Sequence, residues 1–385
     1  MERTYHPNGR IKKETWNKTR EYYHKSTYSR EDGPAYQSWY VSGQRKKVKY
    51  YNTDRKLHNA DGPAYIKWNY NPNFTIEFKP WEDKLCTPKK IFYYVNGKLH
   101  REDGPAREEH GHDLSWHCVE YYVNGQLHRE DGPAREKQDH NKSSHRMEYY
   151  INGRHHRENG PATEEYNHDR SSYRLEYYVN GKCHREDGPA KEECINNIIT
   201  HQSYYREDNY YREDGGPTRE NWHENGQKKS EYYYGGPYTI QFHNENGPAR
   251  QEWDKDGNLT YISYKLNGNL RNMGDTPSEQ IWEENLLKLT TWYLGDDCYK
   301  VNHYDKGVLL DTVYRHHFRK HREDGPALIT YYSNGKIKSE KYYIHDKLHR
   351  DDGPAVQKWD ETETLIRSHY YLNDVKQEPL IKRAR

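Results

Sequence analysis

The phrase YYVNGKLHREDGPA, from Tyr93 to Ala106, returns almost unchanged from Tyr121, Tyr149 and Tyr177. The first tyrosine of each such pair falls at 22, 50, 93, 121, 149, 177, 204, 232, 342 and 370, so most steps are 28 residues and one is 27. The single step of 43, from Tyr50 to Tyr93, holds an insertion at 67–90. Worn copies begin at Ser263 and Trp292, and a clearer one begins at Val313. About thirteen copies then cover the chain, with repeats over 6–66, 91–262 and 313–375, a degenerate stretch at 263–312 and a basic tail at 376–385. A period of this size means a stacked array in which each unit buries its face on the next.

Each unit reads as β-structure. In residues 325–355 an extended run from Ala327 to Tyr332 meets Asn334-Gly335, a pair suited to a type I′ turn with positive φ at both residues. The returning run from Lys336 to Ile344 alternates polar and apolar residues, a second turn follows at His345-Asp346, and KLHR leads into Asp-Gly-Pro-Ala. There the glycine suits a left-handed position, and proline sits at the first residue of a strand. No sustained helical period occurs. One hairpin of this kind is marginal alone, so each tyrosine is expected to pack on its equivalent one copy along. Adjacent tyrosines such as Tyr121 and Tyr122 should place one aromatic row on each face. The expectation is an all-β solenoid of hairpins, an elongated and twisted antiparallel meander ribbon. If each copy adds two strands, it is on the order of 120 Å long.

Composition narrows the function. Mean hydropathy is −1.46, which in isolation points to disorder, but 61 basic residues nearly cancel 60 acidic ones. Aromatics reach 14%, and 40 of them are tyrosine, whose ring covers area while its hydroxyl still needs a partner. A net charge of +1 argues against nucleic acid as a partner. No segment approaches the ~18 apolar residues of a membrane span, and the start has no secretory apolar region. The cysteines Cys86, Cys118, Cys183, Cys194 and Cys298 follow no common spacing, so a reducing compartment is expected. Sequons at Asn73 and Asn141 are at the level of chance in such a chain.

The repeated HRED word carries acid–base groups, yet identical triplets on successive copies offer one environment many times over. Catalysis needs one asymmetric arrangement. The favoured reading is a structural ladder of Tyr93, Tyr94, His100, Arg101, Asp103 and Gly104, repeated as Tyr121, Tyr122, His128, Arg129, Asp131 and Gly132. Tyr149, Tyr150, Tyr177, Tyr178, Arg185, Asp187, Gly188, Arg322, Asp324 and Gly325 continue it. Histidines of one row, two strands apart, lie ~10 Å from each other and cannot share a zinc ion. The neighbours His155-His156 and His316-His317 should face opposite ways. No cofactor or metal is expected, and no enzyme motif is present. The insertion, with Trp68, Phe74, Phe78 and Trp81, is the candidate for partner docking. The stretch 263–312, with Trp282, Leu286, Leu287, Leu289 and Trp292, is the most apolar part.

These residues carry a resemblance. The stretch GPALITYYSNGKIKSEKYYIHDKLHRDDGPA and the core YYxNGKLHRxDGPA look like the MORN-repeat variant, which occurs in large DNA viruses of protists, in phages and in some bacteria. The resemblance spans nearly the whole chain. The period is longer than in ordinary MORN units, and 263–312 departs from the pattern. It implies a hairpin solenoid that scaffolds protein–protein contacts without enzymatic activity, with a virion or host-cytoplasm location and a place as a minor component of a viral particle. Its alternatives are association with anionic lipid at a membrane surface, weakened by the lack of a polybasic cluster, and binding of a toxin as its antidote.

Overall fold

A computed structural model describes residues 1–15, 33–70, 88–111, 115–139, 143–235 and 241–378. The chain divides into two units, Met1–Asn197 and Ile198–Arg385. Among the described residues every regular element is a β-strand.

In the first unit the strands pair in chain order as an open antiparallel meander. Its regular part runs Pro88–Phe92, Arg107–His110, Trp116–Glu120, Arg135–Asp139, Ser144–Glu148, Thr163–Asn167, Tyr173–Glu176 and Lys191–Ile195. Each copy thus adds two strands to this sheet. It also adds a separate short hairpin, such as Tyr94–Val95 with Lys98–Leu99 and Tyr122–Val123 with Gln126–Leu127. The short hairpins bond to one another in a second row. Gly125 N–H donates to Leu99 O at 2.8 Å and Arg101 N–H to Tyr122 O at 3.0 Å, with the same pair of bonds one copy later at Gly153 and Arg129. The second unit repeats this plan from Arg219–Trp222 to Val356–Trp359, broken by three long strands described below.

The returning run is therefore interrupted. Ile337–Lys341 belongs to the sheet and Tyr343–Ile344 to a short hairpin, with Tyr342 at the corner, where its N–H donates to Ala355 O at 2.9 Å. Tyr50, Tyr93, Tyr121, Tyr149, Tyr177 and Tyr204 hold the same corner in their copies. In the following copy the role falls to Tyr233 and not to Tyr232, because Gly215-Gly216 adds one residue to the preceding turn. Tyr22 lies outside the described residues.

Two turn readings need correction. Type I′ turns do close the short hairpins, with φ of 50° at Asn96 and 83° at Gly97, and 48° at His345 and 67° at Asp346. At Asn334-Gly335 only the glycine is left-handed, at 84°, and the register shifts by one residue between Thr330 and Tyr331. This is a type I turn closed by a bulge glycine, which a loop one residue longer permits. In the Asp-Gly-Pro-Ala word, Gly104, Gly132, Gly188, Gly325 and Gly353 are not left-handed. A Cβ on Gly104 would lie 2.9 Å from the guanidinium carbon of Arg101, so a close side-chain approach selects glycine there.

The interior is small and largely polar. The alanine after each proline is completely buried at Ala106, Ala134, Ala162 and Ala190 in the first unit, and at Ala249, Ala327 and Ala355 in the second. Beside them in the first unit lie Glu109, Glu120 and Glu148, all under 9% exposed. Successive tyrosines of the short hairpins at Tyr150 and Tyr178, and at Tyr205 and Tyr234, are separated by another ring. A residue from the other strand of the short hairpin intercalates: His155 sits 4.1 Å from Tyr150 and 5.1 Å from Tyr178. Likewise Tyr210 lies 4.4 Å from both Tyr205 and Tyr234. Neighbouring rungs of a short-hairpin row include both strands of each copy, which is why equivalents are two rungs apart.

Candidate functional site

The repeated word forms one corner, rebuilt in each copy. Arg101 lays its guanidinium over the ring of Tyr93 at 4.1 Å and donates from Nε to Asp103 Oδ1 at 2.8 Å. Arg129 does the same with Tyr121 at 4.1 Å and Asp131 at 2.7 Å, and Arg185 with Tyr177 at 4.1 Å and Asp187 at 2.9 Å. In the second unit Arg322 lies 4.0 Å from the Tyr314 ring and 2.7 Å from Asp324, and Arg350 follows with Tyr342 and Asp352. A second donor on Arg101, Arg129 and Arg185 reaches the carbonyl of Pro105, Pro133 and Pro189. Each arginine is thus held between a phenol face and a glycine, with its donors on a carboxylate and a carbonyl. The guanidinium pulls the carboxyls of Asp103, Asp131, Asp187, Asp324 and Asp352 below their usual range. In the copy that carries Asn159 in place of aspartate, Arg157 stacks on Tyr149 at 3.9 Å and turns to Glu164.

The histidine of the word has a different task. Nδ1 of His100 accepts from Asn124 N–H at 3.1 Å, that of His128 from Asn152 and that of His156 from Asn180, each the first turn residue of the next short hairpin. The proton of each neutral ring therefore sits on Nε2. His155 and His156 do face apart: His155 enters the interior, where burial lowers its pKa. His316 and His317 do not, since their ring centroids are 4.2 Å apart. His317 lies in a turn, at a φ of 45°, and strand alternation does not apply to it.

Spacing and resemblance did not reveal the charged column in the first unit. Arg107 spans Glu109 at 2.6 Å and Glu120 at 2.8 Å, and Lys90 closes on Glu109 at 2.8 Å. Arg135 then spans Glu120 at 3.0 Å and Glu148 at 3.3 Å, and Arg146 spans Glu148 and Glu165. Burial pushes the Glu109 carboxyl up, but Lys90 and Arg107 outweigh it and hold it low. The second tyrosine of the pair caps this column: Tyr122 donates to Glu120 at 3.2 Å and Tyr178 to Glu176 at 3.2 Å. Burial raises the phenol pKa of Tyr94, Tyr122 and Tyr178, and pushes that of Tyr150 up to about 12. A sequence signal existed in the glutamates that recur immediately before the first-unit pairs, at Glu120, Glu148 and Glu176.

Of the insertion residues, Trp68 is 5% exposed inside the strand Tyr65–Trp68, which pairs directly with Pro88–Phe92. Phe74, Phe78 and Trp81 lie outside the described residues. A depression of about 400 Å³ in the first unit is lined by Glu165, Tyr173, Arg174 and Cys194 among others. Among the described residues two groups bring three metal-ligating side chains together, Glu108 with His110 and His117, and His316 with His321 and His345. No disulfide joins the described cysteines, and among the described residues no helix is long and apolar enough to cross a membrane.

Comparison with known proteins adds little. No family model matches the chain, and no curated protein matches it. A solved structure of the Photorhabdus luminescens Tc holotoxin pore aligns over 98% of this chain and 17% of that one, at 10% identity and a TM-score of 0.14. A score that low assigns no shared fold.

Proposed function

We propose that this protein is a non-enzymatic scaffold of the MORN-variant kind, which holds other proteins against a periodic β-surface. The observation that carries the reading is the reuse of one corner. In copy after copy the arginine and aspartate of the HRED word are bound to each other and to the corner tyrosine, so the groups that resemble catalytic machinery are committed to holding the chain. What remains outward is regular. Glu102, Glu130 and Glu158 of the first unit have side chains 84%, 83% and 78% exposed. They recur every second strand of the sheet, a spacing of ~10 Å. Such a row suits a partner with repeated basic groups and repels anionic headgroups, which disfavours the membrane-surface reading. Placement as a minor component of a viral particle follows the resemblance, and binding of a toxin partner would be a special case of the same contact.

Sedimentation of the chain from its native source tests this. It is expected to travel with a larger protein assembly and to leave it when Glu102, Glu130 and Glu158 are all changed to glutamine. A wild-type chain that sediments alone overturns the proposal.

A further inference from the structure

We propose that His316, His321 and His345 in the second unit form a binding site for a divalent transition-metal ion of the zinc class. The strand Val308–His316 ends at His316, a turn through His317 and Phe318 reverses the chain, and Arg319–Lys320 leads to His321. His345 opens the corresponding turn one copy later. One ligand atom from each of the three lies within 4.8 Å of the other two. The ring centroids of His321 and His345 are 4.4 Å apart, and those of His316 and His321 are 5.4 Å apart.

The array supplies its own control. His321 occupies the ladder position of His100, His128 and His156, so a histidine there is structural by default. The other two are departures. The position of His316 holds Val95, Val123, Ile151, Val179 and Ile344 in other copies. The position of His345 holds Asn96, Asn124, Asn152, Asn180 and Asn373. Two consecutive copies have thus changed an aliphatic residue and a turn asparagine to histidine, and both changes land beside one ladder histidine. The fold needs neither, since Ile344 and Asn373 serve the next corner. Same-row histidines are too far apart to share an ion; this group draws from three different rows.

The chemistry fits. Nδ1 of His321 accepts from the His345 N–H at 3.4 Å, which leaves Nε2 for a metal. Tetrahedral zinc with nitrogen at ~2.0–2.1 Å needs donors ~3.4 Å apart, within reach by side-chain rotation of these partly exposed rings. Neutral imidazoles select zinc, copper or nickel over magnesium and calcium. Three of them leave a fourth position, and Glu323 Oε1 stands 3.7 Å from His321 Nε2. The group at Glu108, His110 and His117 lacks this distinction. Its His117–Glu108 contact of 3.1 Å is repeated one copy on as His145–Glu136 at 2.8 Å, an ordinary cross-strand pair of the array.

The test is calorimetric titration of the metal-free full chain with Zn²⁺ at neutral pH. The double variant His316→Val with His345→Asn restores the residues of neighbouring copies, and the thermal melt of its metal-free form verifies the fold. Wild type is expected to bind one equivalent of Zn²⁺ that the double variant lacks. Each single variant should weaken that equivalent at least about tenfold, since losing a ligand costs no less than losing an outer partner of one. Mg²⁺ should not compete. Equal stoichiometry and affinity in wild type and double variant, or no Zn²⁺ uptake by wild type, overturns the proposal.

Discussion

The regular copies at 91–195 and the stretch from Leu286 to His316 solve the same problem differently. In the former, strands of four or five residues stop at a tyrosine corner, and the chain then enters a short hairpin. In the latter, Leu286–Gly295, Cys298–Asp305 and Val308–His316 run ten, eight and nine residues, and a tyrosine corner returns only at Tyr314, near the end of the third. They are joined by two-residue turns at Asp296-Asp297 and Lys306-Gly307, all four residues at positive φ. The Arg–Glu–Asp–Gly–Pro word is missing from this stretch. Copies that carry it turn out of the sheet at a tyrosine, as do those at Tyr50, Tyr233 and Tyr264 where the word is altered, whereas the links between Leu286 and Val308 have neither word nor corner. The interior changes with it: Thr290, Thr291, Asn302 and Thr312 are buried there in place of the ion-paired glutamates. The corner, with the word or with an altered one, makes the second row.

This comparison can be broken at several points. Glu120→Ala should have the largest effect, about 2–3 kcal/mol in chemical denaturation. Stranding a charge at a buried pair costs ~3–5 kcal/mol, discounted here because Arg107 and Arg135 are partly solvated. Thr291→Ala in the long strands removes one hydroxyl bond to Glu279 and should cost about 1 kcal/mol. Equal losses would mean that the charged column does not distinguish the two regions.

Gly132→Ala sharpens the account of the corner. Its Cβ would meet the Arg129 guanidinium at 2.9 Å. Displacing that group from Tyr121 and Asp131 should cost ~1–2 kcal/mol, within the range for overpacking. Gly307→Ala has nothing within 4 Å of the new carbon and pays only for its φ of 80°, about 1 kcal/mol. Arg129→Lys keeps the charge but loses the planar stack, and should lower stability by about 0.5–1 kcal/mol.

Acid should separate the regions least sharply but with a definite sign. Lys90 and Arg107 hold Glu109 low, and Arg174 and Lys191 hold Glu176 low, both against the upward push of burial. A lowered folded pKa means a contribution that is complete above the ordinary carboxylate value of ~4.3 and fades as pH falls through the folded value. Pepsin at about pH 3 is therefore expected to cut within 91–195 before it cuts within 286–316. The reverse order would remove the charged column as the difference between them.

Much of this was legible in the residues. Period, hairpin turns and strand type follow from Asn-Gly, Gly-Pro and the tyrosine pairs, because local chemistry dictates them. The partner of each tyrosine was not legible. Tyr121 and Tyr122 are neighbours in sequence, yet one meets Arg129 and the other Glu120, and only the break at the corner decides which. Glycine misled for the opposite reason. Gly104 looks like a backbone requirement, while its constraint comes from Arg101 folding back over it. His316 and His345 stood out only once copies were aligned by structural role, since adjacency in the chain hid their common neighbour.

The alternating links from Lys90 to Glu165 also bear on how such a gene grows. Arg107 and Arg135 occupy equivalent places and each grips a glutamate on either side. Recombination that duplicates or drops one whole unit would leave every cation between two anions, whereas a fractional slip would set like charges together.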